Sequence, residues 1–287
     1  MQIVGTVKEI WRFPVKSMGG ESLNTAQLSA GGVVGDRHWA TRNDNAGEIQ
    51  GAKKMPLLMQ CVARYRGTVG ADGLPPVDIT LPDGSTTATD DPALSRKLSE
   101  LLERPISLWP VQPATNLAHY RRRPMAPPEM GAEMAEIFQR LPNEPMPDFS
   151  IFAPELSQYT SMPGDYFDAF PLHLLTTASL AAMAARNPGA QWDVRRFRPN
   201  IVIEPVAGAE GLVELAWVNG TLVVGEAAIN CVAPAPRCGM TTRAQPGLPS
   251  DPSVLRTIVA DAAQNLGIYG TVAIAGGLKV GDPVSLR

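Results

Sequence analysis

The sequence predicts a mainly β protein with peripheral helices, an α+β chain arranged as two β-barrel-like halves. Short runs rich in β-branched residues recur along the whole chain, and 26 glycines and 27 prolines punctuate them. Helix start signals are few and lie at the edges of these runs, which argues against a doubly wound parallel sheet. At 287 residues the chain exceeds one small core, so two intimate domains are expected.

In chain order, the runs Ile3–Ile10, Gln60–Tyr65, Val77–Leu81 and Ile106–Trp109 read as strands. Asp91-Pro92 opens a helix that places Leu94, Leu98, Leu101 and Leu102 on one face and stops before Pro105. From His119 to Asp168 the composition changes, with Arg121-Arg122-Arg123-Pro124, Pro127-Pro128, Pro142, Pro145 and Pro147. This segment reads as a long connection ordered in part by packing, either a plain linker or part of a functional rim. The expected division is therefore 1–118, a connecting segment 119–167, and 168–287. An Ala-rich helix starts near Thr176-Thr177-Ala178-Ser179 and ends near Asn187-Pro188-Gly189. Ile201–Glu204, Thr221–Val224, Ala227–Val232 and Thr271–Ile274 complete the expected strands. Asn219-Gly220 predicts a hairpin joining Leu215–Val218 to Thr221–Val224. Pro234 and Pro236 are expected to stop the strand before them, and Asp251-Pro252 opens a last helix running towards Gly267.

Hydrophobic residues make up 44% and charged residues 18%, as in a packed soluble protein. A formal net charge of -3 gives no global attraction to nucleic acid or to an acidic membrane, so neither is expected as a partner. Cys61, Cys231 and Cys238 are too few and too scattered for a disulfide framework, and a reducing compartment is expected. The first residues show no signal-peptide pattern, and no run approaches the ~18 apolar residues of a membrane span, so the expected location is cytoplasmic.

Four short stretches carry chemistry. In Phe13-Pro14-Val15-Lys16-Ser17-Met18-Gly19-Gly20, a lysine, a hydroxyl and exposed backbone N–H groups suit a phosphate, although Lys16 read alone is more often a solvated turn residue. In Gly35-Asp36-Arg37-His38-Trp39, Arg37 can fork onto a phosphate or pair with Asp36. In Arg195-Arg196-Phe197-Arg198-Pro199-Asn200, Arg198 and Asn200 match the planar edges of a pterin or the oxygens of a phosphate; the alternative is pairing with Asp193 or Glu204. Pro236-Arg237-Cys238-Gly239-Met240-Thr241-Thr242 places a thiol beside Arg237, which favours the thiolate, the form that attacks or coordinates. Alone, Cys238 reads as a buried small hydrophobe. The three histidines are isolated, which makes a zinc site improbable, and there is no Gly-x-Ser-x-Gly elbow.

These motifs, together with Val280-Gly281-Asp282-Pro283-Val284 near the end, resemble in order the MOSC family of molybdenum-cofactor proteins, in the branch that carries an extra N-terminal β-barrel domain and includes amidoxime-reducing proteins. The resemblance implies a molybdenum cofactor, molybdopterin with its metal. It implies Lys16, Ser17 and Arg37 at the cofactor phosphate, Arg198 and Asn200 on the pterin side, and Cys238 as catalytic residue and metal ligand, with Arg237 beside it. Thr176, Thr177 and Ser179 fall where the family supplies further polar contacts, at a helix start whose free N–H groups also favour an anion. Two departures stand out: Ala235 replaces a second cysteine found in many relatives, and Lys53 in Gly51-Ala52-Lys53-Lys54 replaces an arginine.

The implied function is oxygen-atom transfer, such as reduction of N-hydroxylated small molecules. Flavin, haem and iron–sulfur motifs are absent from the sequence, so a separate electron-donor protein of the reductase, ferredoxin or cytochrome type is expected. The rival readings are a sulfur carrier using a Cys238 persulfide and a non-catalytic anion-binding module. One cofactor held by Lys16 and Cys238 together requires a site between the two halves.

Overall fold

The computed structural model describes residues 1–70, 73–150 and 154–287; the connecting segment expected at 119–167 therefore lies partly outside the described residues. Seven strands form the central barrel: β1 (Gln2–Arg12), β2 (Leu172–Thr176), β3 (Ile201–Pro205), β4 (Thr221–Val224), β5 (Ala227–Pro236), β6 (Asn265–Ile274) and β7 (Pro283–Leu286). Their spatial order is β3-β2-β6-β5-β4-β7-β1, and pairing of β1 with β3 closes the ring. Closure removes the open sheet edges that would otherwise recruit another chain. Only β2 and β3 run parallel, so their connection must cross over, and the helix Thr177–Arg186 supplies the crossover.

The barrel encloses an apolar cluster that includes Val7, Ile10, Leu174, Ile201, Ile203, Leu222, Ile229, Ile268 and Val284. Burying each such side chain stabilises the fold by roughly 1.5–3 kcal/mol. The N-terminal part wraps a second core (Val15, Met18, Leu58, Ile79, Leu98 and Ile106) in small sheets. One sheet joins Trp39–Asn43, Glu48–Ile49 and Ile106–Pro110; another joins Val62–Tyr65, Val77–Thr80 and Thr86–Ala88.

The two parts exchange strands. β1 comes from the N-terminal part but lies in the C-terminal barrel, between β7 and β3. In return, Gly276–Lys279 leaves the C-terminal part to pair with Thr25–Ser29. The barrel is incomplete without β1, and the small sheet of Thr25–Ser29 and Gly32–Val33 is incomplete without Gly276–Lys279.

The helices longer than a single turn are α1 (Leu94–Leu102), α2 (Pro127–Phe138), α3 (Thr177–Arg186) and α4 (Pro252–Asp261). α1 buries Leu94, Leu98 and Leu102 as its leucine spacing predicts. α2 lies in the segment read as a connection without regular structure. Prolines at its first turn and Glu129 beside them are a helix start signal, and they outweigh the proline-rich composition of the region.

Three further expectations are corrected. Leu215–Val218 is not a strand: Val213–Trp217 is a 3-10 turn that buries Glu214 and Trp217, and the run lacks the polar alternation of a half-buried strand. The hairpin partner of β4 is Ala227–Asn230, reached through Gly225 at φ 57°. Pro234 and Pro236 do not stop β5, because the register shifts at both, leaving each proline at an irregularity where no ladder N–H is needed. Helix α4 ends at Asp261, and β6 begins at Asn265 rather than Thr271. Among the described residues no helix is long and apolar enough to cross a membrane.

Candidate functional site

A cavity of about 460 Å³ opens where the N-terminal sheets, the barrel and the 119–168 segment meet. Lys16, Ser17, Arg37 and Lys53 line it from one side of the sequence, and Arg198, Asn200, Arg237 and Cys238 from the other. Thr176, Thr177 and Ser179, expected at the same ligand, do not line it.

Backbone conformation aims three of these side chains. Ser17 (φ 73°), Arg37 (φ 47°) and Arg198 (φ 55°) all adopt the left-handed region, which costs a non-glycine residue about 1–3 kcal/mol. Such strain persists only where surrounding bonds over-determine it. The Arg37 N–H donates to Phe13 O at 2.7 Å, and Ser17 Oγ accepts from the Ala52 N–H at 2.9 Å.

Two of the cations gather at Phe13: Arg37 lies 4.7 Å and Arg198 4.2 Å from the centroid of its ring. Its negative π faces soften the repulsion between two guanidinium groups. Arg37 also pairs with Asp36, as the sequence suggested, and Arg198 donates to Met18 O. Burial, and then neighbouring Arg37, bring the Arg198 guanidinium down to about 9.

Asp168 accepts from Lys16 Nζ at 2.9 Å and from Lys53 Nζ at 3.3 Å. Burial would raise its carboxyl, but the two lysines outweigh that and hold it well below the usual carboxylate range. The Asp168 side chain is 55% exposed, so solvent screens part of this pull. Desolvation lowers Lys16 despite its partner, whereas Asp168 raises Lys53. Lys54 faces away and bonds Glu133 of α2 at 3.3 Å, so the two lysines of the departing stretch do different work.

Asn200 is fully committed within the protein. Its amide donates to Asp36 at 2.9 Å, and its oxygen accepts from the His173 N–H at 3.2 Å and from Arg37 at 3.5 Å. It therefore holds the clamp rather than offering a free edge. Arg237 donates to Phe197 O at 2.8 Å, while burial and then Arg237 keep His173 neutral, well below its ordinary value. Arg195 takes Asp193 as its partner, the pairing that an arginine in this stretch was expected to make if it met no ligand.

Cys238 ends the run after β5 and caps the 3-10 turn Gly239–Thr242. That turn is fixed from behind by Arg196, whose buried guanidinium donates to Gln191 O and Pro249 O at 2.9 Å each and to Thr241 O at 3.4 Å. Arg196 is one of three arginines ahead of an apolar strand, a setting that demands such partners, and these carbonyls supply them. In front, Gly239 is packed so closely that a Cβ there would meet Gln139 at 2.7 Å. Cys238 is partly exposed to the cavity, whereas burial pushes the Cys61 thiol to about 12 and Cys231 to about 11. Only Cys238 among the three combines access with a cationic surround, the setting in which thiols react or coordinate.

Three buried guanidinium nitrogens on cavity-lining residues, Arg122 Nε, Arg198 Nη2 and Arg237 Nε, have no hydrogen-bond partner among the described residues. Seven cations line the cavity (Lys16, Arg37, Lys53, Arg122, Arg196, Arg198 and Arg237), and among the described residues their ion pairs are with three carboxylates, Asp36, Asp168 and Glu133. Native folds rarely leave such donors unanswered, so the arrangement suits an anionic ligand with planar acceptor edges. Among the described residues no group of three or more His, Cys, Asp or Glu side chains surrounds a possible metal position.

Residues 4–101 match the MOSC N-terminal beta barrel domain, and residues 163–285 match the MOSC domain. Mitochondrial amidoxime reducing component 2 of Rattus norvegicus is 25% identical over 99% of this chain and 84% of its own length. Mitochondrial amidoxime-reducing component 1 of Homo sapiens is 25% identical over 100% of this chain and 84% of its own length. The solved YUAD protein from Bacillus subtilis aligns over 100% of this chain and 97% of its own at 11% identity, with a TM-score of 0.45, a likeness too loose to argue from.

Proposed function

We propose that this chain, which belongs to the MOSC proteins that join the N-terminal beta barrel domain to the MOSC domain, is a molybdenum-cofactor-dependent oxidoreductase acting on N-hydroxylated compounds. The observation that carries this reading is the excess of buried, partly unpartnered cationic donors around a single partly exposed thiol. The names of the curated relatives as amidoxime reducing components support the same reading.

The residues fit such a group. Lys16 and Arg37 would hold the terminal phosphate, assisted by the Ser17 hydroxyl, and the spare N–H groups of Arg198 and Arg237 would meet the pterin edge. Cys238 would supply the one protein ligand to the metal; without a His or carboxylate cluster nearby, the remaining ligands must come with the cofactor. When bound, the cofactor supplies two-electron oxygen-atom exchange. In the net reaction, two electrons and two protons convert an N–OH group to N–H and release water. The electrons would come from a separate reductase, ferredoxin or cytochrome-type protein. Asn200 and Asp36 would keep Arg37 in place, and Arg196 would keep the Cys238 turn rigid.

The test is metal and pterin analysis of protein made in a host that synthesises the cofactor. Near one molybdenum and one pterin per chain are expected, together with reduction of an amidoxime by an artificial electron donor. Cys238→Ser should lose more than 100-fold in activity while its melting temperature in the cofactor-free form stays within about 2 °C, because the side-chain volume barely changes. Wild-type protein carrying no pterin from such a host would overturn the reading, and sulfur transfer by that pterin-free protein would favour the persulfide carrier.

A further inference from the structure

We propose that helix α2 is the specificity wall of this site, selecting substrates whose reducible N–O group is carried on an apolar body, an alkyl chain or an aromatic ring. The inference rests on the reading of the site given above. Met130, Met134, Ile137 and Phe138 succeed one another at helical spacing and all line the cavity, joined there by Phe149 and Phe170. Met130, Met134 and Ile137 are only half buried, and they belong to none of the four apolar clusters among the described residues. An apolar helix face of this kind has its contact area turned towards the cavity rather than into a core.

Polar groups flanking this face fix the wall in position. Glu133 pairs with Lys54 at 3.3 Å, Glu129 pairs with Arg123 at 2.6 Å, and Gln139 O at the helix end accepts from Arg256 at 2.6 Å. The wall is thus tied to the N-terminal sheets at one point and to α4 at another. It faces a site whose other side is cationic, with Cys238 lining the same cavity. A polar pterin phosphate matches the cationic side and gains nothing from thioethers. The apolar side therefore falls to the other occupant, the substrate. Two methionines in the wall add flexible, polarisable surface that can adjust to bodies of different shape.

The test compares wild type with the Met130→Gln/Met134→Gln double variant, which keeps side-chain length and helix propensity while making the wall polar. The loaded enzyme is assayed on a series of alkyl amidoximes from acetamidoxime to octanamidoxime. In wild type, KM should fall by up to roughly fourfold per added methylene until the wall is covered, with kcat nearly constant. In the double variant the slope should flatten by more than half, with kcat on acetamidoxime unchanged. Separately, calorimetry on the cofactor-free protein measures octanamide against acetamide, which cannot be reduced in this reaction; only octanamide should bind measurably, and the variant should lose it. A flat chain-length series in wild type, or an equal slope in a folded double variant, overturns the wall. Octanamide binding lost in the variant, in a protein that reduces no N-hydroxylated compound, keeps the wall and defeats the redox reading instead.

Discussion

Two buried polar clusters in this molecule look alike in sequence and opposite in structure. In the first, Thr176 donates to Glu214 at 2.7 Å, Ser179 donates to the two oxygens of the same carboxylate at 2.7 and 2.6 Å, and the Ser179 N–H caps onto Thr176 at 3.1 Å. All three residues are 0% exposed, and each hydroxyl and carboxylate oxygen finds a partner. In the second, Lys16, Arg37, Arg198 and Arg237 carry more charge than their carboxylates answer, and two of their nitrogens stay unpaired. A closed cluster holds a fold together; an open one waits for a ligand. Polar residues at strand ends and helix starts occur in both, so completeness of hydrogen bonding, rather than residue type, separates them.

The largest expected effect comes from opening the closed cluster. Thr176→Val combined with Ser179→Ala removes the donors to a buried carboxylate, about 1.5–3 kcal/mol each, as well as a helix cap of about 1 kcal/mol. Urea unfolding should show a total loss of roughly 4–7 kcal/mol. Pterin content of the surviving folded protein should not change, and a fall in pterin content without destabilisation would return these residues to the ligand site.

Arg198→Met does the reverse to the open cluster. It should weaken cofactor binding roughly 10- to 100-fold, the scale of one charge-assisted hydrogen bond. The cofactor-free protein should be no less stable. Burial, then Arg37, lower this base to about 9, so its charged form is disfavoured in the fold at every pH below that value, and the cost fades only as pH rises through it. A melting temperature clearly below wild type at pH 7 would make Arg198 a structural residue.

The smallest effect is a pH dependence. Burial raises the Glu214 carboxyl above its ordinary 4.5, with the hydroxyl bonds pulling the other way. An acid raised in the fold binds more protons there than in the unfolded chain. Its contribution is therefore complete below about 4.5 and is lost as pH rises through the folded value. Glu214→Gln should remove that part of the slope when denaturation is compared between pH 4 and pH 7. Parallel curves for the two proteins would show that Glu214 is not the titrating group.

The sequence was legible where local pattern and tertiary demand agree. Alternation and β-branching marked Ile3–Ile10, Thr221–Val224 and Ile201–Glu204, and leucine spacing marked α1. The gathering of Lys16, Arg37, Arg198 and Cys238 in one cavity came from reading their motifs together, since no single motif implies the others' proximity. Leu215–Val218 misled because an apolar run beside Asn-Gly invites a hairpin, while the deciding residue, Glu214, needed hydroxyls nearly forty positions upstream. The wall helix hid among prolines, whose helix-starting value depends on the residues immediately C-terminal to them. Which side chains would keep free donors was beyond sequence reasoning altogether, because Asn200 is satisfied and Arg198 is not through the partners that distant strands bring.

The exchange of strands between the two parts sets the order in which the molecule can be built. β1 is made first, but its barrel neighbours β3 and β7 start at Ile201 and Pro283. During synthesis at roughly 5–20 residues per second, the apolar face carrying Val4, Val7 and Ile10 waits on the order of tens of seconds for its permanent neighbours. Thr25–Ser29 likewise lacks its partner until Gly276–Lys279 has been made. Folding is thus forced towards a late, concerted closure with high contact order rather than one domain finishing before the next. The cavity with its cationic clamp comes into being only at the end of that interval.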